Sequence, residues 1–257
     1  MFLIEYIRDK YGFSEFEANG YIMAGKVLVN EEVCSWIKYK IRKDDVVRIK
    51  HKKSDYVTRS GHKLEKAINV FQIDVIGKTA LDIGASEGGF TDCLLKHGAK
   101  KVYAVDVAYG IFDYKLRENP RVVVIERKNA RYLTDQEIPE SVDLITSDVS
   151  FISLTKVIPN SIKFLKENGS VVMLYKPQFE LEVKDLGKNG IPDDQRNVIL
   201  KIEEFIMQMR GAGLYINDMA KSPLKGNSGN TEYLLWGTKA EVKEIDRSQI
   251  ENCVLNS

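Results

Sequence analysis

The sequence contains little of several things that mark particular protein classes. Its 257 residues include three cysteines, Cys34, Cys93 and Cys253, which lie far apart and form no CxxC pair. Neither a disulfide framework nor a metal site is therefore expected, and a reducing cytoplasm fits best. No apolar run approaches the roughly 18 residues of a membrane span. The N-terminal MFLIEYIRDK carries charges inside its apolar stretch, so no signal peptide is predicted either.

The sequence also lacks a strong net charge, which is only +1, so overall charge indicates no nucleic-acid partner. The distribution of charge is uneven. Between Lys38 and Lys63 there are ten Lys or Arg residues against three Asp. Such a run is usually a solvated face, and a phosphate-facing patch is the alternative. Hydrophobic residues make up 44% of the chain, which is enough for a large domain and a small one.

Residues 1–53 predict a small α+β module. The stretch FLIEYIRDKYG has helical spacing and stops at Gly12, and Ser14 with Glu17 forms a capping box for a second helix. KVLVN and DVVRIK alternate like strands. We assign the rest of the chain to a linker, a large domain and a polar tail, at 54–62, 63–240 and 241–257.

From Thr79 onward, apolar strands alternate with helices. The predicted strands are TALDIG, KVYAVDV, RVVVIER, SVDLITSDV, SVVMLYK, LYINDMAK and TEYLLWGT. The predicted helices are EGGFTDCLLKHG, GIFDYKLREN, SLTKVIPNSIKFLKENG and DQRNVILKIEEFIMQMRGAG. This pattern is typical of an α/β, Rossmann-like fold with seven strands and a mostly parallel sheet covered on both faces. Ligands of such sheets bind outside the carboxyl ends of the strands.

The loop after the first of these strands predicts a cofactor site. Ser86 stands where the dinucleotide pattern GxGxxG needs its second glycine. Asp82 lies two residues before the first glycine, where a carboxylate suits a cationic amino group and not a phosphate. S-adenosylmethionine has such an amino group and has no phosphate. Asp106 ends the second strand, where it could bind ribose hydroxyls, although NAD would use such a residue too. Asn129 follows the third strand and could meet an adenine edge. The candidate cofactor residues are Asp82, Gly84, Ala85, Ser86, Gly88, Gly89, Phe90, Asp106, Val107, Asn129 and Asp148.

Two lysines and two acids are predicted to converge at this edge of the sheet. Asp148 and Lys176 follow the fourth and fifth strands, and a reversed final strand would bring Glu232 near Lys176. Lys63 lies at a helix start, where a cation gains nothing from the helix dipole. Such a set suits methyl transfer from a sulfonium to an alcohol, because a lysine can assist loss of the hydroxyl proton. Two structural salt bridges are the alternative.

Several motifs together resemble, in order, those of the haemolysin-A-like (TlyA) family. They are YVTRSGHKLEKAI, DIGASEGGFTDCLL, VYAVDVAYG, SDVSFISL, KPQFE and SPLKGNSGNTEYL. These proteins are ribosomal-RNA 2′-O-methyltransferases with an FtsJ-like catalytic domain behind an S4 RNA-binding domain. The resemblance implies S-adenosylmethionine as cofactor, ribosomal subunits as partners and no metal. It also places a Lys-Asp-Lys-Glu tetrad on Lys63, Asp148, Lys176 and Glu232.

The resemblance further implies a cytidine substrate, in the small ribosomal subunit and in some members also in the large one. The target base would be flipped from its stack, with Phe151 as a stacking platform or else as a core aromatic. The S4-like module lacks the usual Arg-Leu-Asp opening, so its RNA binding is expected to be weaker or to use the runs KYKIRK and IKHKK. The candidate RNA-binding residues are Lys38, Lys40, Arg42, Lys43, Arg59, Phe151 and Lys225.

Two other functions stay open. One is an RNA-binding protein without turnover. The other is a membrane-active haemolysin, as the family name implies, but a pore needs a membrane-spanning or strongly amphipathic segment and none is found in the sequence.

Overall fold

The chain forms two compact units, Met1–Asp55 and Tyr56–Ser257, each with its own hydrophobic core. The structure, a computed structural model, describes residues 1–49, 55–226, 228–240 and 243–256. Most of the basic run IKHKK therefore lies outside the described residues.

The first unit has two helices and a small antiparallel sheet, as the sequence predicts. Gly12 ends the first helix with φ +67°, and the Ser14–Glu17 capping box begins the second. The sheet has the order β2-β1-β3. The helices bury Leu3, Ile7, Ala18 and Ile22 in the core of this unit. The elements are α1 (Leu3–Tyr11), α2 (Glu15–Met23), β1 (Val27–Val29), β2 (Glu32–Val33) and β3 (Val47–Ile49).

The second unit contains a seven-stranded sheet and the remaining helices. The strands are β4 (Thr79–Ile83), β5 (Lys101–Val105), β6 (Val122–Ile125), β7 (Val142–Ser147), β8 (Leu165–Tyr175), β9 (Tyr215–Lys221) and β10 (Tyr233–Thr238). The helices are α3 (Gly61–Val70), α4 (Gly89–Lys96), α5 (Tyr114–Arg117), α6 (Ile158–Ser161), α7 (Pro177–Glu180), α8 (Gln195–Gly211) and α9 (Arg247–Leu255). Short 3₁₀ helices lie at Ala130–Tyr132, Leu154–Lys156, Ile162–Phe164, Val183–Asp185 and Lys188–Gly190.

The sheet has the order β6-β5-β4-β7-β8-β10-β9, which confirms the predicted α/β class. Pairing is parallel from β6 to β8, and β10 runs antiparallel to both of its neighbours. Because Tyr233 pairs with Tyr175, the beginning of β10 lies beside the end of β8. Two apolar clusters cover the sheet. Helices α3 and α4 contribute to one cluster, and α8 and α9 contribute to the other. The chain reversal in β10 therefore brings late residues to the carboxyl edge of the sheet.

Two predicted helices differ in the structure. The stretch SLTKVIPNSIKFLKENG forms only α6 and 3₁₀ turns, and Leu165 already pairs with Val142 of β7. Its apolar spacing fits a helix, but strand pairing with a buried neighbour decides otherwise. The predicted helix GIFDYKLREN is reduced to the four residues of α5, which Asp113 caps through the N–H groups of Lys115 and Leu116.

Residues 56–62 of the predicted linker and residues 243–256 of the predicted polar tail belong to the second unit. Tyr56 is buried, and the Val57 N–H donates to Asp92 Oδ2 over 2.9 Å. At the other end, α9 buries Ile250 and Val254, and Asp246 caps it. Each stretch contributes only a few apolar residues. These suffice to pack it against the domain, because the neighbouring elements provide the remainder of the core.

Candidate active site

The first half of the site is an ion pair between Lys63 and Glu232. Lys63 lies in the first turn of α3, and Glu232 immediately precedes β10. The Lys63 Nζ and Glu232 Oε2 atoms are 2.6 Å apart, and the side chains are only 7% and 4% exposed. Removing two charges from water is costly unless they pair closely. The structure thus brings two residues 169 positions apart in the sequence into an almost fully buried ion pair.

The second half is an ion pair between Lys176 and Asp148, which follow the adjacent parallel strands β8 and β7. The Lys176 Nζ and Asp148 Oδ1 atoms are 2.6 Å apart, with side chains 9% and 15% exposed. Lys176 Nζ also donates to Ser150 Oγ over 2.9 Å. This ammonium is therefore held by two acceptors from one loop.

One cleft of about 580 Å³ is lined by all four of these side chains. The convergence that the sequence predicts is thus present at the carboxyl edge of the sheet. The predicted residues Gly84, Ala85, Ser86 and Phe90 line the same cleft. The four ionic groups and the glycine loop consequently face a common space.

The glycines of the loop allow close approaches. Gly84 has φ +80°, and a Cβ there would lie 2.6 Å from the backbone oxygen of Asp148. Gly88 has φ +101°, and a Cβ on Gly89 would lie 2.0 Å from Ser60 Oγ. Gly88 and Gly89 do not line the cleft. They shape the turn into α4 instead of offering contacts to a ligand.

Asp82 is placed differently from the prediction that it meets a cationic amino group. It is fully buried, and its two oxygens accept hydrogen bonds from Thr91 Oγ1 at 2.7 Å and Thr146 Oγ1 at 2.9 Å. Burial raises the pKa of Asp82 to about 7. Because Asp82 lies within β4, its carboxylate is held between α4 and β7 by these two threonines and does not line the cleft.

A second cavity of about 400 Å³ adjoins the cleft and shares Gly84, Ser86 and Asp148 with it. The predicted Asp106, Val107 and Asn129 line this cavity, together with the apolar Ile83, Val105, Ile111, Val149 and Ile152.

The polar residues of this cavity are tied to the backbone. Asp106 accepts from the N–H groups of Ser86 and Ala108, each over 2.7 Å. Asn129 Oδ1 accepts from Arg131, so the amide nitrogen of Asn129 remains to donate. An apolar slot with a carboxylate and an amide at its rim suits a nucleoside.

Phe151 is not a core aromatic. Its side chain is 90% exposed and lines both the cleft and the cavity. Its backbone is left-handed, with φ +62°, which a non-glycine residue seldom adopts. The Phe151 ring lies 5.1 Å from that of Phe179, centroid to centroid. An exposed aromatic held in a strained turn at a cleft indicates a contact surface.

Glu180 holds this turn against α7. Its two oxygens accept from Ser153 Oγ at 2.6 Å and from the Leu154 N–H at 2.8 Å. Burial raises the pKa of Glu180. We call the contacts of Glu180 with Ser153 and Leu154 the Glu180 clamp. Because Lys176 is the N-cap residue of α7, this clamp links the Phe151 turn to the strand end that carries Lys176.

The remaining basic candidates are exposed. Lys38, Lys40, Arg42 and Lys43 are exposed in the first unit. In the second unit, Arg59 is exposed and lines the cleft, and Lys225 is exposed beside Gly226, which also lines it.

Sequence reasoning missed several polar residues of the cleft. They are Thr58, Ser60, Ser150, Gln178, Ser228 and Asn230. The signal available was position, because Gln178 and Asn230 each lie two residues from a predicted tetrad member. Within the described ranges, no cluster of three or more His, Cys, Asp or Glu residues could hold a metal ion. No helix in that part of the chain is long and apolar enough to cross a membrane.

Comparison with known proteins agrees with this geometry. The model of the FtsJ-like methyltransferase family matches residues 56–239. The chain is 44% identical over 238 residues to "Hemolysin A" of Brachyspira hyodysenteriae, covering 91% of this chain and 98% of that protein. It is 40% identical over 199 residues to the "16S/23S rRNA (cytidine-2'-O)-methyltransferase TlyA" of Mycobacterium tuberculosis, covering 77% of this chain and 74% of that protein.

A solved structure described as "Putative hemolysin from Streptococcus thermophilus" matches with a TM-score of 0.77 at 34% identity, covering 99% of this chain and 94% of that one. The family match spans the whole cleft and the cavity beside it, and the resemblance that the motifs predict is confirmed. The chain belongs to the FtsJ-like methyltransferase family.

Proposed function

We propose that the protein transfers the methyl group of S-adenosylmethionine to a ribose 2′-hydroxyl of ribosomal RNA. The observation that carries this proposal is the pair of buried lysine–acid contacts, Lys63–Glu232 and Lys176–Asp148, in one cleft beside a nucleoside-sized cavity. Relatives named as ribosomal-RNA cytidine-2′-O-methyltransferases support the substrate. A cytoplasmic location follows from such a substrate.

The cofactor fits the cavity shared by the ends of β4, β5 and β7. Asp106 would accept from the ribose hydroxyls, and the amide nitrogen of Asn129 would donate to the adenine ring. Apolar walls such as Val149 would cover the base. When bound, S-adenosylmethionine supplies an electrophilic methyl group on a sulfonium. Asp148 lines both spaces, so it lies where the cofactor cavity meets the cleft.

Lys176 is the group that we assign to the hydroxyl. A neutral amine there would accept the proton that the 2′-hydroxyl loses, and an ammonium would stabilise the negative charge that develops on the oxygen. Asp148 and Ser150 fix the position of the Lys176 nitrogen. Lys63 and Glu232 complete the polar wall and orient the ribose, so that the oxygen can attack in line with the breaking carbon–sulfur bond.

RNA binding is assigned to both units. The helix-helix-strand order and the four exposed basic residues support an S4-like RNA-binding role for Met1–Asp55. In the second unit, Phe151 offers an exposed face on which a flipped base can stack. The basic groups assigned to phosphate contacts are Lys38, Lys40, Arg42, Lys43, Arg59 and Lys225.

The direct test is methyl transfer from labelled S-adenosylmethionine to purified small and large ribosomal subunits, followed by mapping. A 2′-O-methyl group protects the adjacent phosphodiester from alkaline cleavage, so the modified nucleotide is identified as a gap in the hydrolysis ladder. Label at one or two cytidines is the expected result. Label on a base, or no label on any ribosomal RNA, would contradict the proposal.

The name hemolysin that two relatives carry supports a second candidate, lysis of membranes. Purified protein would then release dye from loaded vesicles. We expect no release, and release at low protein concentration would favour this candidate over RNA methylation.

A further inference from the structure

Two carboxamide side chains that line the cleft have buried oxygen atoms without a hydrogen-bond partner among the described residues. Asn230 is only 3% exposed, and its Oδ1 accepts no hydrogen bond from that part of the chain. Gln178 Oε1 is in the same condition. Among the described residues, neither side chain forms a hydrogen bond through its amide nitrogen either. Leaving a buried polar group unsatisfied is unfavourable, so such a group in a native structure needs an explanation.

The location of these two residues points to a ligand. The described residues contain three other buried polar side-chain atoms without partners, on Ser147, Tyr175 and Trp236, and none of these residues lines the cleft. Asn230 and Gln178 both do. Each lies two residues from a tetrad member, Asn230 before Glu232 and Gln178 after Lys176.

Backbone contacts help to position both residues. The Asn230 carbonyl accepts from the Gly226 N–H over 2.9 Å, and Gln178 lies in α7, which Pro177 begins. Both amides line the cleft that contains the two ion pairs.

The chemistry of the unfilled atoms selects among the parts of an RNA substrate. Both are oxygen acceptors, so a phosphate, which has no hydrogen to donate, cannot satisfy them. A ribose hydroxyl offers a single hydrogen, and in the proposed reaction that group faces Lys176. An exocyclic amino group of a base offers two N–H donors from one nitrogen, which matches two acceptor oxygens.

We infer that Asn230 and Gln178 determine base specificity by accepting hydrogen bonds from the exocyclic amino group of the target nucleotide. This inference rests on the proposed function. A flipped base exposes its Watson–Crick edge, where cytosine carries an amino group and uracil carries a carbonyl oxygen at the same position. With the two carboxamides in their present orientations, uracil would direct that oxygen at two further oxygens and leave all three unsatisfied. A site built to bind a donor rejects an analogue that lacks it.

The test compares ribosomal subunits that carry cytidine or uridine at the mapped target position. For wild-type protein we expect kcat/KM to be at least about tenfold higher with cytidine. Asn230→Ala should lower kcat/KM for cytidine by about tenfold or more and change the value for uridine by less than about threefold. The preference for cytidine should therefore shrink towards one. Gln178→Ala should act in the same direction.

Asn230→Asp is the matched control, because it keeps an acceptor oxygen in nearly the same shape and should keep the preference for cytidine. Calorimetric binding of S-adenosylmethionine checks that each variant is folded. If Asn230→Ala is misfolded by this measure, Gln178→Ala and Asn230→Asp decide the question.

Equal losses with cytidine and uridine would overturn the inference, since a structural role affects both substrates alike. A wild-type protein that methylates uridine as well as cytidine would overturn it too, while leaving the proposed function intact. A wild-type protein that methylates no ribosomal RNA would refute both.

Discussion

The two edges of the seven-stranded sheet both carry a cavity and ion pairs, but they differ in burial. At the amino edge, a cavity of about 490 Å³ includes Asp143 and Lys166, whose charged atoms are 2.8 Å apart. These side chains are 23% and 48% exposed. At the carboxyl edge, none of the four tetrad side chains is more than 15% exposed.

The difference shows that a cavity with charges is not by itself an active site. Asp143 has a structural role at the amino edge, because its second oxygen accepts a hydrogen bond from the Thr79 N–H at the start of β4. An exposed pair of this kind contributes little to stability. Burying the two charged pairs at the carboxyl edge costs desolvation free energy, and in the described part of the chain neither pair bonds the backbone at the start of a strand. Function accounts for them better than stability does.

The largest expected effect separates the two edges directly. Lys176→Ala should lower kcat for methyl transfer by about 10³-fold or more, because it removes the group that we propose acts on the hydroxyl. Lys166→Ala, the matched lysine at the amino edge, should leave kcat within about twofold. Binding of S-adenosylmethionine serves as the folding check for both variants. A Lys176→Ala enzyme with nearly full activity would remove the distinction between the edges.

The second prediction compares two acids across the sheet by pH. Burial raises the pKa of Asp82 to about 7, so the folded state binds a proton that the unfolded state releases near its ordinary value. The contribution of Asp82 to the free energy of unfolding therefore declines as pH rises from about 4 to 7. Relative to wild type, Asp82→Asn should gain on the order of 2–3 kcal/mol of unfolding free energy between pH 5 and pH 8, measured by denaturant titration.

Asp143 provides the control, with the opposite sign. Burial raises the pKa of Asp143, but hydrogen bonds from Lys166 and the Thr79 N–H outweigh this and hold the pKa below its ordinary value. Its stabilisation is present above the unfolded pKa and is lost only as pH falls through the folded value. Asp143→Asn should thus differ from wild type by a constant amount between pH 5 and pH 8. A similar constant difference for Asp82→Asn would contradict the assignment of a raised pKa.

A smaller effect is expected at the Glu180 clamp beside the site. Glu180→Ala releases Ser153 and the Leu154 N–H, so the strained turn of Phe151 loses its support. We expect KM for ribosomal subunits to rise about tenfold with little change in kcat, because the turn positions RNA and not the reacting groups. Glu180→Gln keeps an acceptor and should recover most of the loss.

The exposed Glu182, two residues away, is the matched control, and Glu182→Ala should change neither constant. Equal losses of kcat in Glu180→Ala and Glu180→Gln would indicate a requirement for the charge and would contradict a positioning role.

The smallest effects belong to single basic residues of the first unit. Replacing Lys38, Lys40, Arg42 or Lys43 by Ala should weaken binding to ribosomal subunits a few-fold each. The slope of log K against log salt concentration should also fall by about one for each phosphate that the variant no longer neutralises. Lys100→Ala, an exposed lysine beside the start of β5, should change neither quantity. Unchanged salt dependence in all four variants would assign RNA binding elsewhere.

The elements with strong local signals could be predicted from the sequence. The capping box of Ser14 and Glu17, the glycine turn after β4 and the apolar strands all appear as expected. The stretch before Gly169 could not be, because its apolar spacing fits a helix and only pairing with β7 makes Leu165 a strand residue. The burial of Asp82 between two threonines could not be predicted either, because a sequence does not show which way a side chain at a strand end is directed.

The sequence by itself determined the family, the order of the strands in the large domain and the four ionic residues, because glycine turns, apolar periodicity and motif spacing are local properties of the chain. Only the tertiary structure decided that Lys63 contacts Glu232, that Asp82 is enclosed by two threonines and that Asn230 has an unfilled acceptor. Contacts of this kind depend on the packing of distant segments and on the exclusion of water, and neither is encoded in any short stretch.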